Sequence, residues 1–163
     1  MFRGTQEAKV DDKGRLKLPA DFMKVVAQKN YGADFFITSR DGKVAEIWPM
    51  QEWEKEEEKK AHLPEDDEAK VTWMRVVNFF GGPVEIDKQD RLMLPRKIRE
   101  RFSMVNVDVV VTGQQRYLTV QVEQEAEQEI ESLLQPGDSV KQMSMAEARK
   151  VLAAAEARKS TDL

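Results

Sequence analysis

Two nine-residue stretches of the chain answer each other: DDKGRLKLP over residues 11–19 and DKQDRLMLP over residues 87–95. Asp, Arg, Leu, Leu and Pro recur at the same five places, 76 residues apart. Such a repeat constrains the fold more than any local propensity, because each copy must build the same supersecondary unit and neither is large enough to bury a full core alone. The match extends outward. Val10 answers Ile86 and Ala8 answers Val84 before the motif, while Phe22 answers Ile98 and Val26 answers Phe102 after it. Residues 34–48 then answer 108–122, at an offset slightly reduced by a shorter connecting loop.

Each copy has the signals of strand, tight turn, strand, short helix, loop, strand, turn, strand. Asp11 opens a turn that Gly14 closes three residues later, the pattern of a type I turn ending in a left-handed residue. In the second copy Asp90 stands where Gly14 stands in the first, and it tolerates that conformation at some cost. Pro19 and Pro95 pre-set the backbone angle for a helix start, followed by apolar residues at helical spacing. The second hairpins are expected to turn at Arg40-Asp41-Gly42 and around Gly113. Alternate strand residues face opposite ways, so Leu16, Leu18, Leu92 and Leu94 point inward while Arg15, Lys17 and Arg91 point outward. Interleaving the strands of two marginal units into one small closed barrel with flanking helices, an α+β fold, covers their edges.

Residues 1–60 read as the first repeat, 61–82 as a helical connector, 83–134 as the second repeat and 135–163 as a polar tail. In the connecting region Pro49 opens a charged helix, His62-Leu63-Pro64 breaks it, and Asp66 or Asp67 can cap a second helix. That helix carries Val71, Trp73, Met74, Val76, Val77, Phe79 and Phe80, apolar on nearly every side, which predicts burial under the barrel or against another subunit. The run Glu54–Lys60 reads as a solvated helix face, and Trp48, Trp53 and Trp73 read as packing residues rather than base-stacking ones. Residues 123–134 hold five Glu and no base, with Val122, Ala126, Ile130 and Leu133 in one apolar stripe. Beyond Pro136-Gly137, Ser144 and Glu147 make a capping-box pattern that opens a last, weakly amphipathic helix.

Composition bounds the chemistry. The formal charge is −4, yet residues 1–30 hold seven Lys and Arg against four acids, so the basic residues gather around the first motif. Zero cysteines excludes disulfides, thiolate metal sites and cysteine nucleophiles. The absence of a signal-like segment or a long apolar run makes a cytoplasmic protein the expectation. The single histidine, His62, has no nucleophile motif near it, Asp11-Asp12 lacks further spaced metal ligands, and no glycine-rich phosphate loop appears. No catalytic residue, cofactor, metal or small-molecule substrate is expected.

An N-terminal MFRG, the first motif, WPMQEW and the second motif in a chain of this size together resemble the MraZ family, bacterial regulators of the division and cell-wall gene cluster. The similarity covers roughly residues 1–134. It implies two AbrB-like swapped-hairpin repeats fused in one chain, a ring-like homo-oligomer, and binding of repeated boxes in double-stranded DNA upstream of the protein's own operon, which it would repress. A nucleoid-associated location follows. The family's motif falls on Asp11 and Arg15, and on Asp87 and Arg91. Copy two departs by carrying Asp90 before Arg91, an acid that would repel phosphate and could tie up the arginine, so the first copy is expected to be the stronger DNA-facing tip.

The residues support this chemistry. A guanidinium is always charged and offers a rigid fork of donors suited to phosphate or guanine, and an Asp four residues earlier can fix its direction. The expected DNA contacts are Arg3, Lys9, Lys13, Arg15 and Lys17 around one tip, and Lys88, Arg91 and Arg96 around the other, with Asp11 and Asp87 as orienting residues. Two readings compete. In one, the Asp–Arg pairs only tie their hairpins together; in the other, the fold is an antitoxin-like interaction module that gives its acidic helix to a protein partner.

Overall fold

The computed structural model describes residues 1–135 and 143–161. They divide into two compact units, Met1–Glu123 and Gln124–Leu163. The first unit holds an eight-stranded antiparallel sheet made of β1 (Thr5–Val10), β2 (Arg15–Lys17), β3 (Asp34–Thr38), β4 (Ala45–Pro49), β5 (Gly82–Glu85), β6 (Arg91–Met93), β7 (Val107–Gly113) and β8 (Leu118–Val122). Four helices accompany it: α1 (Ala20–Gln28), α2 (Met50–Glu58), α3 (Glu68–Phe80) and α4 (Arg96–Phe102). The second unit contains most of α5 (Glu123–Leu134) and all of α6 (Met145–Thr161).

The strand order is β5-β3-β4-β8-β7-β1-β2-β6. Its two ends, β5 and β6, are consecutive strands joined by the second motif turn, where the Asp87 N–H donates to the Arg91 carbonyl at 3.0 Å. The barrel is thereby nearly closed, as the repeat predicts. Replacing every strand by its counterpart in the other copy returns the same order around the barrel read in the opposite direction, so the copies are related by a pseudo-two-fold axis. That axis passes through the two pairings of equivalent strands, β2 with β6 and β4 with β8, on opposite walls.

At the first wall Leu16 lies directly across from Leu92. The motifs also exchange backbone bonds: the Leu18 N–H donates to the Asp90 carbonyl at 2.8 Å and the Leu94 N–H to the Gly14 carbonyl at 3.0 Å. Each turn therefore closes the other copy's strand. Leu16, Leu18, Leu92 and Leu94 are buried in one core with Phe2, Phe22, Phe35, Ile37, Ile47 and Ile98. Burying a side chain of this size contributes roughly 1.5–3 kcal/mol, so the four leucines carry much of the interlock.

The opposite wall is stapled by polar and aromatic groups. Tyr117 stacks on Trp48 at 4.1 Å, and the Arg40 Nε donates to both Glu46 carboxylate oxygens at 3.0 Å while its Nη2 donates to the Tyr117 hydroxyl at 3.0 Å. Burial pushes the Glu46 carboxyl up and the facing Arg40 pulls it back. Arg116 of the second copy pairs with Glu56 and stands 3.6 Å from Glu52, both buried acids of α2. The expectation of a solvated Glu54–Lys60 face thus fails at Glu56. The signal was present as two acids four residues apart on one helix face, but their cation lies 60 residues downstream of Glu56.

Helix starts follow the expected chemistry. Pro19, Pro49 and Pro95 each precede a helix, and Asp67 caps α3 by accepting the Lys70 N–H at 2.9 Å. Trp48 and Trp53 are buried, and Trp73 stacks on Trp53. His62 is exposed in the break between α2 and α3. The expected burial of α3 holds for one side of the helix: Val77 is buried, Trp73 packs with it in the Trp48–Trp53 cluster and Phe80 packs against the main core, while Met74 and Phe79 are exposed. In the second unit the Glu147 N–H donates to the Ser144 hydroxyl at 3.2 Å, one half of the expected capping box. The expected Pro136-Gly137 break lies outside the described residues. Among the described residues no helix is long and apolar enough to cross a membrane.

Gly14 does more than close a turn. Its φ of +85° is the left-handed conformation, and a Cβ there would stand 2.2 Å from the Arg99 Cδ, whose side chain is anchored by Nε donation to the Leu94 carbonyl. Gly4 has a similar φ of +80° with open space around it. Gly4→Ala is expected to cost the left-handed penalty of about 1–2 kcal/mol, and Gly14→Ala measurably more, read as urea midpoints at unchanged slope. Equal losses would show that the Arg99 seat is not a constraint.

Candidate nucleic-acid interface

The motif turns are built alike. In the first, the Asp11 Oδ1 accepts the N–H groups of Lys13 at 3.0 Å and Arg15 at 2.8 Å, and its Oδ2 accepts the Arg15 Nε at 2.8 Å. In the second, the Asp87 Oδ1 accepts the N–H groups of Gln89 and Arg91, both at 2.9 Å, and its Oδ2 accepts the Arg91 Nε at 2.8 Å. One carboxylate thus sets both the turn and the guanidinium. The arginine side chains are 27 and 28% exposed, and their Nη groups have no partner among the described residues. A fork held by its Nε and open at its Nη edge is suited to a phosphate or a base edge.

The clamps also explain their own acidity. Donation by the Arg15 N–H, aided by the Arg15 side chain and the Lys13 N–H, holds the Asp11 carboxyl below its ordinary value against a desolvation effect of opposite sign. The Arg91 N–H, the Arg91 side chain and the Gln89 N–H do the same for Asp87. With the folded value depressed, the clamp's stabilisation is fully present above the ordinary carboxylate range and is lost as pH falls through the lowered value. Both clamps are therefore set at neutral pH.

The two tips form one surface. β2 and β6 pair with Arg15 opposite Met93 and Lys17 opposite Arg91. Lys9 is one residue before Val10, which pairs with Leu16, so the same register carries it toward Lys17. The cations of the first copy consequently gather beside the arginine of the second: Lys9, Lys17 and Arg91 share one end of the ribbon. Arg15 faces the apolar Met93 instead. Asp90, left-handed with φ of +61°, does not hold Arg91, whose partner is Asp87. The expected intramolecular trap for the second arginine is not formed.

The remaining expected contacts divide. Lys13 and Lys88 are exposed on the two turns, and Arg96 is exposed at the first turn of α4, 3.6 Å from Glu100. Arg3 is displaced from its expected place at the tip. All of β1 separates it from Asp11, and its neighbours are Gly113 and the β7–β8 turn, where the Phe2 N–H donates to the Gln115 carbonyl. Counting cations along the sequence joined it to the tip; strand length, about 3.3 Å per residue, removes it. Arg99 was missed, because its contribution depends on Gly14 of the other copy.

Residues 1–75 match a family model described as "MraZ protein, putative antitoxin-like". A protein of Acidobacterium capsulatum named transcriptional regulator MraZ is 53% identical over 120 residues, covering 74% of this chain and 81% of that one. Proteins of the same name from Koribacter versatilis and Moorella thermoacetica are 40% identical over 132 residues and 35% over 115, covering 81 and 69% of this chain and 89 and 75% of theirs. With relatives this similar over most of both chains, the chain belongs to the MraZ family.

Proposed function

We propose that the chain is a sequence-specific, DNA-binding transcriptional regulator that represses its own division and cell-wall operon by binding repeated promoter boxes as a ring-like oligomer. The relatives' shared name supports the regulatory, non-enzymatic class. The observation that carries DNA binding is the β2–β6 ribbon: two Asp–Arg clamps of the same geometry on one outward face, with both guanidinium forks open at the Nη edge. A two-stranded ribbon fits a major groove, where arginine can bond guanine bidentately. Lys9, Lys13, Lys17, Lys88 and Arg96 would supply phosphate contacts that set register without reading sequence. Arg3 joins them only where DNA extends along the barrel to the other end of β1. Each chain has few such contacts, and several chains in a ring would engage neighbouring boxes at high effective concentration.

Selection of bound sequences from random double-stranded DNA tests the reading, since enrichment of a short repeated box is expected and no enrichment would sink it. Arg15→Ala should lower affinity for that box about tenfold or more, the scale of one bidentate base contact at roughly 1–3 kcal/mol. Arg91→Ala should cost less, because Lys9 and Lys17 remain beside the emptied position whereas Arg15 has only Met93 across the ribbon. A gel-shift titration at fixed salt decides it, and a larger loss at Arg91 would refute the ribbon asymmetry.

Binding should weaken steeply with salt. Lys13→Ala is expected to reduce the slope of log affinity against log salt by about 0.9, the value for one phosphate contact on duplex DNA. A flat salt response of the unaltered protein would turn the reading toward the antitoxin-like alternative, in which the partner is a protein.

A further inference from the structure

The helix after the second motif carries charge that the helix after the first does not. Arg96, Lys97, Arg99 and Arg101 of α4 stand where Ala20, Asp21, Met23 and Val25 stand in α1. Half-buried Arg99 crosses to the first tip. Chain neighbours apart, the three atoms nearest to where a Gly14 Cβ would stand all belong to its side chain, Cδ, Nε and Cγ at 2.2, 3.1 and 3.4 Å. Gly14 is buried although Lys13 beside it is exposed, and the arginine stem is its cover. The Leu94 peptide fixes the crossing from both sides: its N–H donates to the Gly14 carbonyl and its carbonyl accepts the Arg99 Nε, both at 3.0 Å.

The guanidinium so placed repeats the arrangement of the motif arginines. Arg15 and Arg91 donate Nε to an aspartate and Arg99 donates it to a carbonyl, while the Nη groups of all three have no hydrogen bond among the described residues. Arg99 also has no ion pair among them, unlike Arg96 and Lys97, each 3.6 Å from Glu100. Asp11 is committed to Arg15. Lys13, Arg15 and Arg99 thus converge on one turn whose uncommitted acid is the exposed Asp12, a balance that favours a bound anion. The second tip lacks this element for a steric reason. Asp90 has a Cβ in the position that Gly14 leaves open, so an arginine crossing that turn in the same way would collide with it, and the equivalent helix residue is Met23.

We propose that Arg99 is a phosphate-binding residue of the DNA interface, its Nη edge taking a backbone phosphate beside the base edge read by Arg15, at the first tip alone. This role rests on the DNA-binding reading of the ribbon and adds to it a contact from the helix of the other copy. A fork rooted on α4 flanks the β2–β6 ribbon instead of standing on it, which is the place of a backbone contact when a ribbon occupies a groove.

Gel-shift titrations over a salt series, against the selected box and a scrambled duplex, test the role with full-length chains. Arg99→Met removes the charge but keeps a long unbranched stem over Gly14, and Arg99→Lys keeps the charge. Arg99→Met is expected to weaken binding of both duplexes by the same factor and to lower the slope of log affinity against log salt by about 0.9. Arg99→Lys is expected to keep the slope. Far-UV circular dichroism and urea midpoints report the fold, and Arg99→Gln gives the same readings should the methionine leave the chain unfolded. A lower midpoint with affinity and slope intact would overturn the role and leave Arg99 as a cover for Gly14. A loss confined to the box would overturn the phosphate assignment in favour of a base contact, and an equal loss of slope in Arg99→Lys would show that its charge is not what DNA meets. If random DNA yields no box and the unaltered chain has a flat salt response, the ribbon reading falls and this role with it. A selected box that Arg99→Met binds normally removes this contact only.

Discussion

Two backbone hydrogen bonds hold the design together: Leu18 to the carbonyl of Asp90, and Leu94 to that of Gly14. Each ties the strand following one motif to the turn of the other, so neither hairpin is complete without its counterpart. The turn carbonyls point to the neighbouring strand of the other copy, and the residue that carries each one, at positions 14 and 90, is left-handed. Glycine takes that conformation at the first without a Cβ penalty, and aspartate at the second with one. The two leucines that follow each arginine then fall into a common core, because reciprocal closure fixes the register at Leu16 against Leu92.

The same interlock decides what the outer surface is. Strand parity sends Arg15, Lys17, Arg91 and Met93 outward, but only the cross-copy register says who stands beside whom. Arg15 meets Met93 and Lys17 meets Arg91. Differences between the copies that read along the chain as a strong tip and a weak tip become, on the ribbon, a charged end and a half-apolar end. Each end takes side chains from both copies. Because the clamps share donor geometry and exposure, the inequality lies in neighbours rather than in the arginines.

The repeat and its hairpins were legible in the sequence because turn chemistry and strand parity are local. Asp11 and Gly14, Asp87 and Asp90, the inward leucines and the helix-starting prolines all sit within a few residues of the feature they specify. What could not be read was pairwise and long-range. Glu56 is a buried acid because of Arg116, Gly14 is crowded because of Arg99, and Arg3 is remote because a whole strand intervenes. α3 was legible on one side only: Trp73, Val77 and Phe80 pack as apolar residues should, whereas nothing local to Met74 and Phe79 says that they stay exposed.

Charge segregation reconciles an acidic chain with the proposed DNA partner. A net −4 spread evenly would repel phosphate at any approach, yet five glutamates lie on α5 while the ribbon and its turns carry Lys9, Lys13, Arg15, Lys17, Lys88 and Arg91. At physiological ionic strength the screening length is about 8 Å, so the local balance of these six cations against Asp11, Asp12, Asp87 and Asp90 sets the ribbon's field more than the net charge does. Register then concentrates that balance by setting Lys9 and Lys17 beside Arg91, a local field that the sum over the whole chain does not reveal.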